Sequence, residues 1–140
     1  RFADAVGAHG MVWGQAQDIA AETAVQPLDL AAVKTLQQAK TGALIQFAAT
    51  AGAVMAGADP APLDSYARHL GLAFQIADDI LDVTGTQETT GKRVGKDAAA
   101  GKETFLSLLG LERAREQAQS TSKPKSKVRW AGLKLSSERM

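Results

Sequence analysis

FQIADDILDV, residues 74–83, sets Asp78, Asp79 and Asp82 inside an apolar run. On a helix, Asp78 and Asp82 are four residues apart and Asp79 and Asp82 three apart. Gln75 precedes Asp78 by three and Asp79 by four, so the four side chains can share one stripe. Like charges one turn apart destabilise a helix. The stretch therefore predicts a positive partner, either a basic neighbour or a metal ion. Carboxylate oxygens are hard ligands suited to Mg²⁺ or Ca²⁺, and Mg²⁺ is typically held by one or two carboxylates plus substrate phosphates. On spacing alone the first reading is a solvated acidic face, because acidic helical clusters are common. The apolar context argues against it. So does the loop that follows, TGKRVGKDAAAGKETF, residues 90–105, where Lys92, Arg93, Lys96 and Lys102 alternate with glycines. Such a loop can offer backbone amides and ammonium groups to an anion, although its spacing is not that of a Walker A sequence. Acid stripe and basic loop together point to a metal with a polyanion.

Around this stretch the sequence reads as helical throughout, with no alternating β-branched run and no Asn-Gly hairpin. An Ala-rich segment from Phe2 to Glu22 carries Phe2, Val6, Val12 and Ile19 among its apolar positions. Gly7, Gly10 and Gly14 weaken it intrinsically but allow another helix or a ligand to approach closely. After a loop at Val25 to Pro27, Asp29 is placed to cap a helix with Leu30, Val33 and Leu36 on one side. That helix is expected to run through Leu44, Ile45 and Phe47 to about Ala56, with a kink at Lys40-Thr41-Gly42. Lys40 alone reads equally as an ordinary surface lysine. Asp59-Pro60 restarts the chain into a third helix ending near Val83, with Leu63, Leu70, Phe74 and Leu81 as core candidates. A fourth helix is expected from Thr104 to Gln117, bearing Phe105, Leu108, Leu109 and Leu111.

Composition bounds the class. The chain has 140 residues, enough for one domain with a modest core. It has no cysteine, which excludes disulfides and thiolate chemistry. No apolar run reaches the length of a membrane span and no signal peptide is visible. Arg1 stands where a native start would show Met, and the chain reads as a piece of a longer one or a processed product. The net charge of +1 conceals an asymmetry: residues 1–119 hold 10 Lys+Arg against 14 Asp+Glu, and residues 120–140 hold 6 against 1. The segment beginning STSKPKSK, residues 120–127, reads as a basic, disordered tail.

Four segments in register resemble one family. FQIADDILD is similar to the second aspartate-rich motif of trans-isoprenyl diphosphate synthases. GMVWGQAQDI, residues 10–19, resembles their Gly-Gln-x-x-Asp segment; KTGALI, residues 40–45, resembles their Lys-Thr element; and TGKRVGKDAAAGKETF resembles their lysine loop. Order and spacing agree with the C-terminal portion of the short-chain bacterial members, the farnesyl diphosphate synthases (geranyltranstransferases). The likeness covers residues 1–118, with 119–140 as the separate tail.

The resemblance implies an all-α fold of antiparallel helices around a central cavity, here an incomplete bundle. It implies a cytoplasmic, usually homodimeric prenyltransferase. That enzyme would use Mg²⁺ to condense isopentenyl diphosphate with an allylic diphosphate (dimethylallyl or geranyl), head to tail. Position by position, it implies Asp78 and Asp79 as metal ligands and Asp82 as a ligand or its neighbour. Lys40, Lys92 and Lys102 match diphosphate contacts. Thr41 and Gln75 match residues near the leaving oxygen and the carbocation, and Gln15 and Asp18 match polar residues supporting the network. Lys40, Thr41, Gln75 and Asp78 thereby become the catalytic candidates. Arg93 and Lys96 match nothing comparably specific and read as surface charges. No second DDxxD occurs, so the family's first aspartate-rich motif has no counterpart here. Trp13 stands where relatives usually carry a small residue, often Gly, so it either crowds a helix interface or faces outward.

Two other classes compete. A non-catalytic subunit or degenerate helical fragment, binding metal-diphosphate or mediating association, fits the missing motif. A nucleic-acid or membrane-surface binder would use the basic tail, but residues 120–140 show no groove-reading pattern and Trp130 as their single aromatic.

Overall fold

The computed structural model of the chain describes residues 1–86 and 101–122. Lys92, Arg93, Lys96 and the tail from residue 123, Trp130 included, lie outside the described residues. The described residues are all-α, and none of their helices is long and apolar enough to cross a membrane.

Helices α1 (Phe2–Val6) and α2 (Met11–Ala21) divide the first Ala-rich segment. The break falls at Gly7 to Gly10, where a Cβ on Gly10 would come 2.0 Å from the Ala5 carbonyl oxygen. Helix α3 (Leu30–Gln37) starts as the sequence predicts: Asp29 accepts a hydrogen bond from the Ala32 amide at 2.8 Å. This satisfies one of the helix's orphan donors. Val33 and Leu36 are buried, whereas Leu30, expected on the same side, is 38% exposed. The anticipated kink is a π-helical turn, Gln38–Gly42, which passes directly into α4 (Ala43–Met55).

Helix α5 (Ala61–Thr84) follows Pro60, and Asp59 Oδ1 takes the Ala61 amide at 2.9 Å. The last expected helix is two. Gly110, at φ 77°, separates α6 (Phe105–Leu109) from α7 (Leu111–Ser122), a conformation that a side chain would strain. Thr104 and Ser107 cap α6 reciprocally. Helix α7 continues past the expected end at Gln117, so Ser120 to Ser122 are helical where a disordered start was expected.

The core sits among α3, α5, α6 and α7. Val33, Ile76, Phe105 and Ala114 are buried together, flanked by Leu28, Leu72, Ile80, Leu106, Leu109 and Ala118. On the other side of α5, small residues admit the π turn. A Cβ on Gly71 would lie 3.4 Å from the Gly42 Cα. Helix α1 is tied to α4 by Phe2 and Phe47, whose ring centroids are 5.1 Å apart.

The expected core of α5 is overturned. Leu63, Leu70, Phe74 and Leu81 are 36%, 43%, 55% and 49% exposed. The buried face instead carries Ala67, Gly71, Gln75, Ile76, Asp79 and Asp82. Gly71 and Gln75 meet the π turn, while Ile76 and Asp79 face the core and the start of α6, and the bulky stripe is left outward. Helix α4, rich in alanine and other apolar residues, has no buried residue at all. Trp13, 38% exposed, lines a groove of about 220 Å³ between α2 and α3.

Leu63, Leu70, Phe74 and Leu81 recur along one exposed stripe of α5, and contiguous exposed apolar surface favours association. The chain by itself is expected to bind a hydrophobic dye and to self-associate in size analysis. Leu70→Lys with Phe74→Lys should reduce dye binding while the melting midpoint stays nearly unchanged, because exposed substitutions usually shift stability by less than about 0.5 kcal/mol. Loss of cooperative melting in that double variant would show the stripe to be internal.

Candidate functional site: a lysine pair on a shared carboxylate

The site forms where α2, the π turn and the start of α6 meet. Gly14 makes this possible. A Cβ there would lie 2.3 Å from the Lys40 nitrogen and 2.6 Å from its Cα, so a bare backbone lets α2 close on the π turn. One turn further along α2, Asp18 is buried and receives Lys40 Nζ on Oδ2 at 2.7 Å. Lys102, from the segment before α6, donates to the same oxygen at 2.9 Å. Lys102 also meets Glu22 Oε1 at 2.8 Å. Two ammonium groups and two carboxylates thus form a charge-balanced quartet drawn from three parts of the chain.

The electrostatics follow from that quartet. Burial works to raise the Asp18 carboxyl, but the hydrogen bonds and charges of Lys40 and Lys102 outweigh it and hold the group below its usual range. Burial likewise works to lower Lys102, and the bonds to Glu22 and Asp18 override it and raise the ammonium above its usual value.

The π turn sends consecutive side chains in different directions. Lys40 goes back to α2, whereas Thr41 reaches α5 and donates to Gln75 Oε1 at 3.3 Å. Single-turn π segments inside α-helices recur at functional sites, where they re-aim side chains. Gln75 opens the aspartate stripe. Asp79 and Asp82 are buried and Asp78 is half-buried. Asp79 has a structural duty: its Oδ2 accepts the Phe105 amide at 2.8 Å and so anchors the first turn of α6. Among the described residues, no group of three or more acidic or histidine side chains converges as a metal site would require. Any cation here would need most of its ligands from elsewhere.

The structure therefore brings together Asp18, Lys40 and Lys102, and separately Thr41 and Gln75. Gln15, one turn before Asp18, is exposed on α2. Lys92 lies outside the described residues. Glu22 is the participant that sequence reading missed. It follows Asp18 by one helical turn, but its partner Lys102 lies far along the chain and nothing local marks the pair.

With this geometry in view, the comparisons are direct. A family model described as polyprenyl synthetase matches residues 3–129. The farnesyl diphosphate synthase of Escherichia coli K12 is 50% identical over 123 residues, which are 84% of this chain and 40% of that protein. An FPP/GFPP synthase from Zymomonas mobilis, solved without ligand, superposes with a TM-score of 0.73 at 50% identity, covering 86% of this chain and 39% of that one. A geranyltransferase from Helicobacter pylori, solved with magnesium and isoprenyl diphosphate, also gives a TM-score of 0.73, at 37% identity over 84% of this chain and 39% of its own. The chain spans about two fifths of the length of these proteins.

Proposed function

Because the chain belongs to the polyprenyl synthetase family, we propose that it supplies the diphosphate-holding side of a Mg²⁺-dependent prenyltransferase. Its substrates would be isopentenyl diphosphate and an allylic diphosphate, dimethylallyl or geranyl, joined head to tail. The observation that carries this reading is the convergence of Lys40 and Lys102 on one buried carboxylate, Asp18. The enzyme names of the relatives support it over a non-catalytic subunit. A cytoplasmic location and a homodimer belong to the same reading and rest on the family alone.

The donor set fits Mg²⁺ of one kind. Asp78 and Asp82 lie one turn apart on α5, and Asp79 is partly committed to the Phe105 amide. A pair of carboxylates suits an ion whose other ligands are phosphate oxygens and water. Asp78, Asp79 and Asp82 are the residues that would hold it. When bound, such an ion neutralises charge on a departing diphosphate.

The remaining work falls to the chain's own groups. Lys40 and Lys102 bring two ammonium donors to a phosphate group, fixed in place by Asp18. Pre-positioned donors of this kind favour developing negative charge without reorganising. Thr41 and Gln75, bonded to each other, place a hydroxyl and an amide dipole next to that charge. Asp18 acts through the lysines it orients.

Calorimetric titration tests the reading. Mg²⁺ is expected to bind more tightly with inorganic diphosphate present than without it, because each supplies ligands that the other lacks. Equal Mg²⁺ affinity in both conditions would refute a metal bridging α5 to a diphosphate. Asp78→Ala is expected to abolish the enhancement.

A further inference from the structure

Lys40 and Lys102 bond the same oxygen, Asp18 Oδ2, at 2.7 and 2.9 Å. Two ammonium groups on one oxygen repel each other, and a single carboxylate neutralises half of their charge. Glu22 provides the other half. Its Oε1 is 2.8 Å from Lys102 Nζ, and it reaches Lys102 from the C-terminal end of α2, where the helix has no basic residue in its last turn. The two partners differ in surroundings. The Lys102 side chain is 18% exposed, whereas that of Glu22 is 44% exposed, so Glu22 is the member of the quartet that can swing into water.

From this geometry we propose that Glu22 is a positioning residue: it pins Lys102 against α2, and an anionic ligand must displace it before Lys102 can serve that ligand. The inference rests on the proposed diphosphate role and adds to it a competitor built into the chain. With Glu22 in place the quartet carries no net charge, so an arriving diphosphate gains little long-range attraction. As the diphosphate takes over Lys102, Glu22 rotates outward. Asp18, buried and bonded to both lysines, stays. Glu22 therefore lowers the affinity for a free anion while keeping Lys102 at the position where the anion will need it.

The consequence runs opposite to that of a supporting residue. Removing the charge in Glu22→Gln is expected to tighten inorganic diphosphate binding by about two- to fivefold, the range of a partly exposed ion pair. Added salt should shrink the gap between wild type and variant. Glu22→Asp, which keeps the charge, is expected to recover most of the wild-type behaviour.

A second measurement does not depend on any ligand. Acetylation of Lys102 by an amine-reactive ester, followed by mass spectrometry, should run about two- to fivefold faster in Glu22→Gln. Lys34, exposed on α3, should react at an unchanged rate. An unchanged Lys102 rate would overturn the pin. Faster labelling with equal or weaker diphosphate binding would overturn the competition. Faster labelling with no diphosphate binding in either protein would refute the diphosphate role, and the release step with it, while Lys102 would remain pinned.

Discussion

Gly14→Ala is expected to destabilise the chain by about 3 kcal/mol, the upper part of the range for overpacking a close contact. The same substitution at Gly52 is expected to stabilise it by about 0.5–1 kcal/mol. Both glycines lie inside helices, where alanine is intrinsically the better residue. The difference is what the new methyl meets. At Gly14 it would lie 2.3, 2.6 and 2.8 Å from the nitrogen, Cα and Cβ of Lys40. Main chain cannot step aside as a long side chain can, so α2 must move off the π turn. At Gly52, in α4, nothing lies within 4 Å, and the helix gains a residue that loses less backbone entropy on folding. Thermal or urea melts of the two variants give the comparison directly. A stable Gly14→Ala chain would mean that α2 and the π turn are not in contact. The displacement should also separate Asp18 from Lys40, so diphosphate binding is expected to fall together with stability.

Asp18→Ala is expected to cost about 2 kcal/mol. Removing one member of a buried pair leaves the other uncompensated, at about 3–5 kcal/mol for full burial. Here the Lys40 side chain is 32% exposed and Lys102 keeps Glu22, which lowers the figure. Lys40→Met should cost less than Asp18→Ala, because the carboxylate then retains Lys102.

The pH dependence has a definite sign. The Asp18 carboxyl is held below its ordinary 3.8. Its contribution is therefore complete above that value and is lost as pH falls through the lower, folded value. The Lys102 ammonium is raised above 10.5, so its contribution is complete below that pH and is lost as pH rises further. Melts of wild type against Asp18→Ala should converge in the acid limb and stay apart at neutral pH. Curves that remain parallel below pH 3.8 would mean that Asp18 is not the group titrating there.

Much of this protein was legible in the sequence, where the signal is local. Asp29 marks a helix start because its side chain reaches an amide three residues on. Lys40-Thr41-Gly42 marks a disturbance in a helix, and the π turn occupies those residues. Val33 and Leu36 are buried as their spacing indicates. Four segments in register were enough to indicate the family, because motif order does not depend on knowing the packing. The break at Gly110 was less legible, since Phe105 to Leu111 keep a helical pattern across it. A glycine at positive φ is visible only in the backbone.

Tertiary structure alone decided which side of α5 faces inward. Helical periodicity separates a bulky stripe, Leu63, Leu70, Phe74 and Leu81, from a stripe of small and polar residues. It says nothing about which neighbour each stripe meets. The π turn comes close to α5 at Gly71 and bonds Gln75 through Thr41, so in this chain the stripe of small and polar residues is buried. The same holds for the site. Asp18, Lys40 and Lys102 are each identifiable by motif, but they are 22 and 84 residues apart from Asp18 in sequence. Only the closure of α2 over a bare Gly14 places both ammonium groups on one carboxylate oxygen. It also recruits Glu22, whose place beside Lys102 depends on a long-range contact and not on a local pattern.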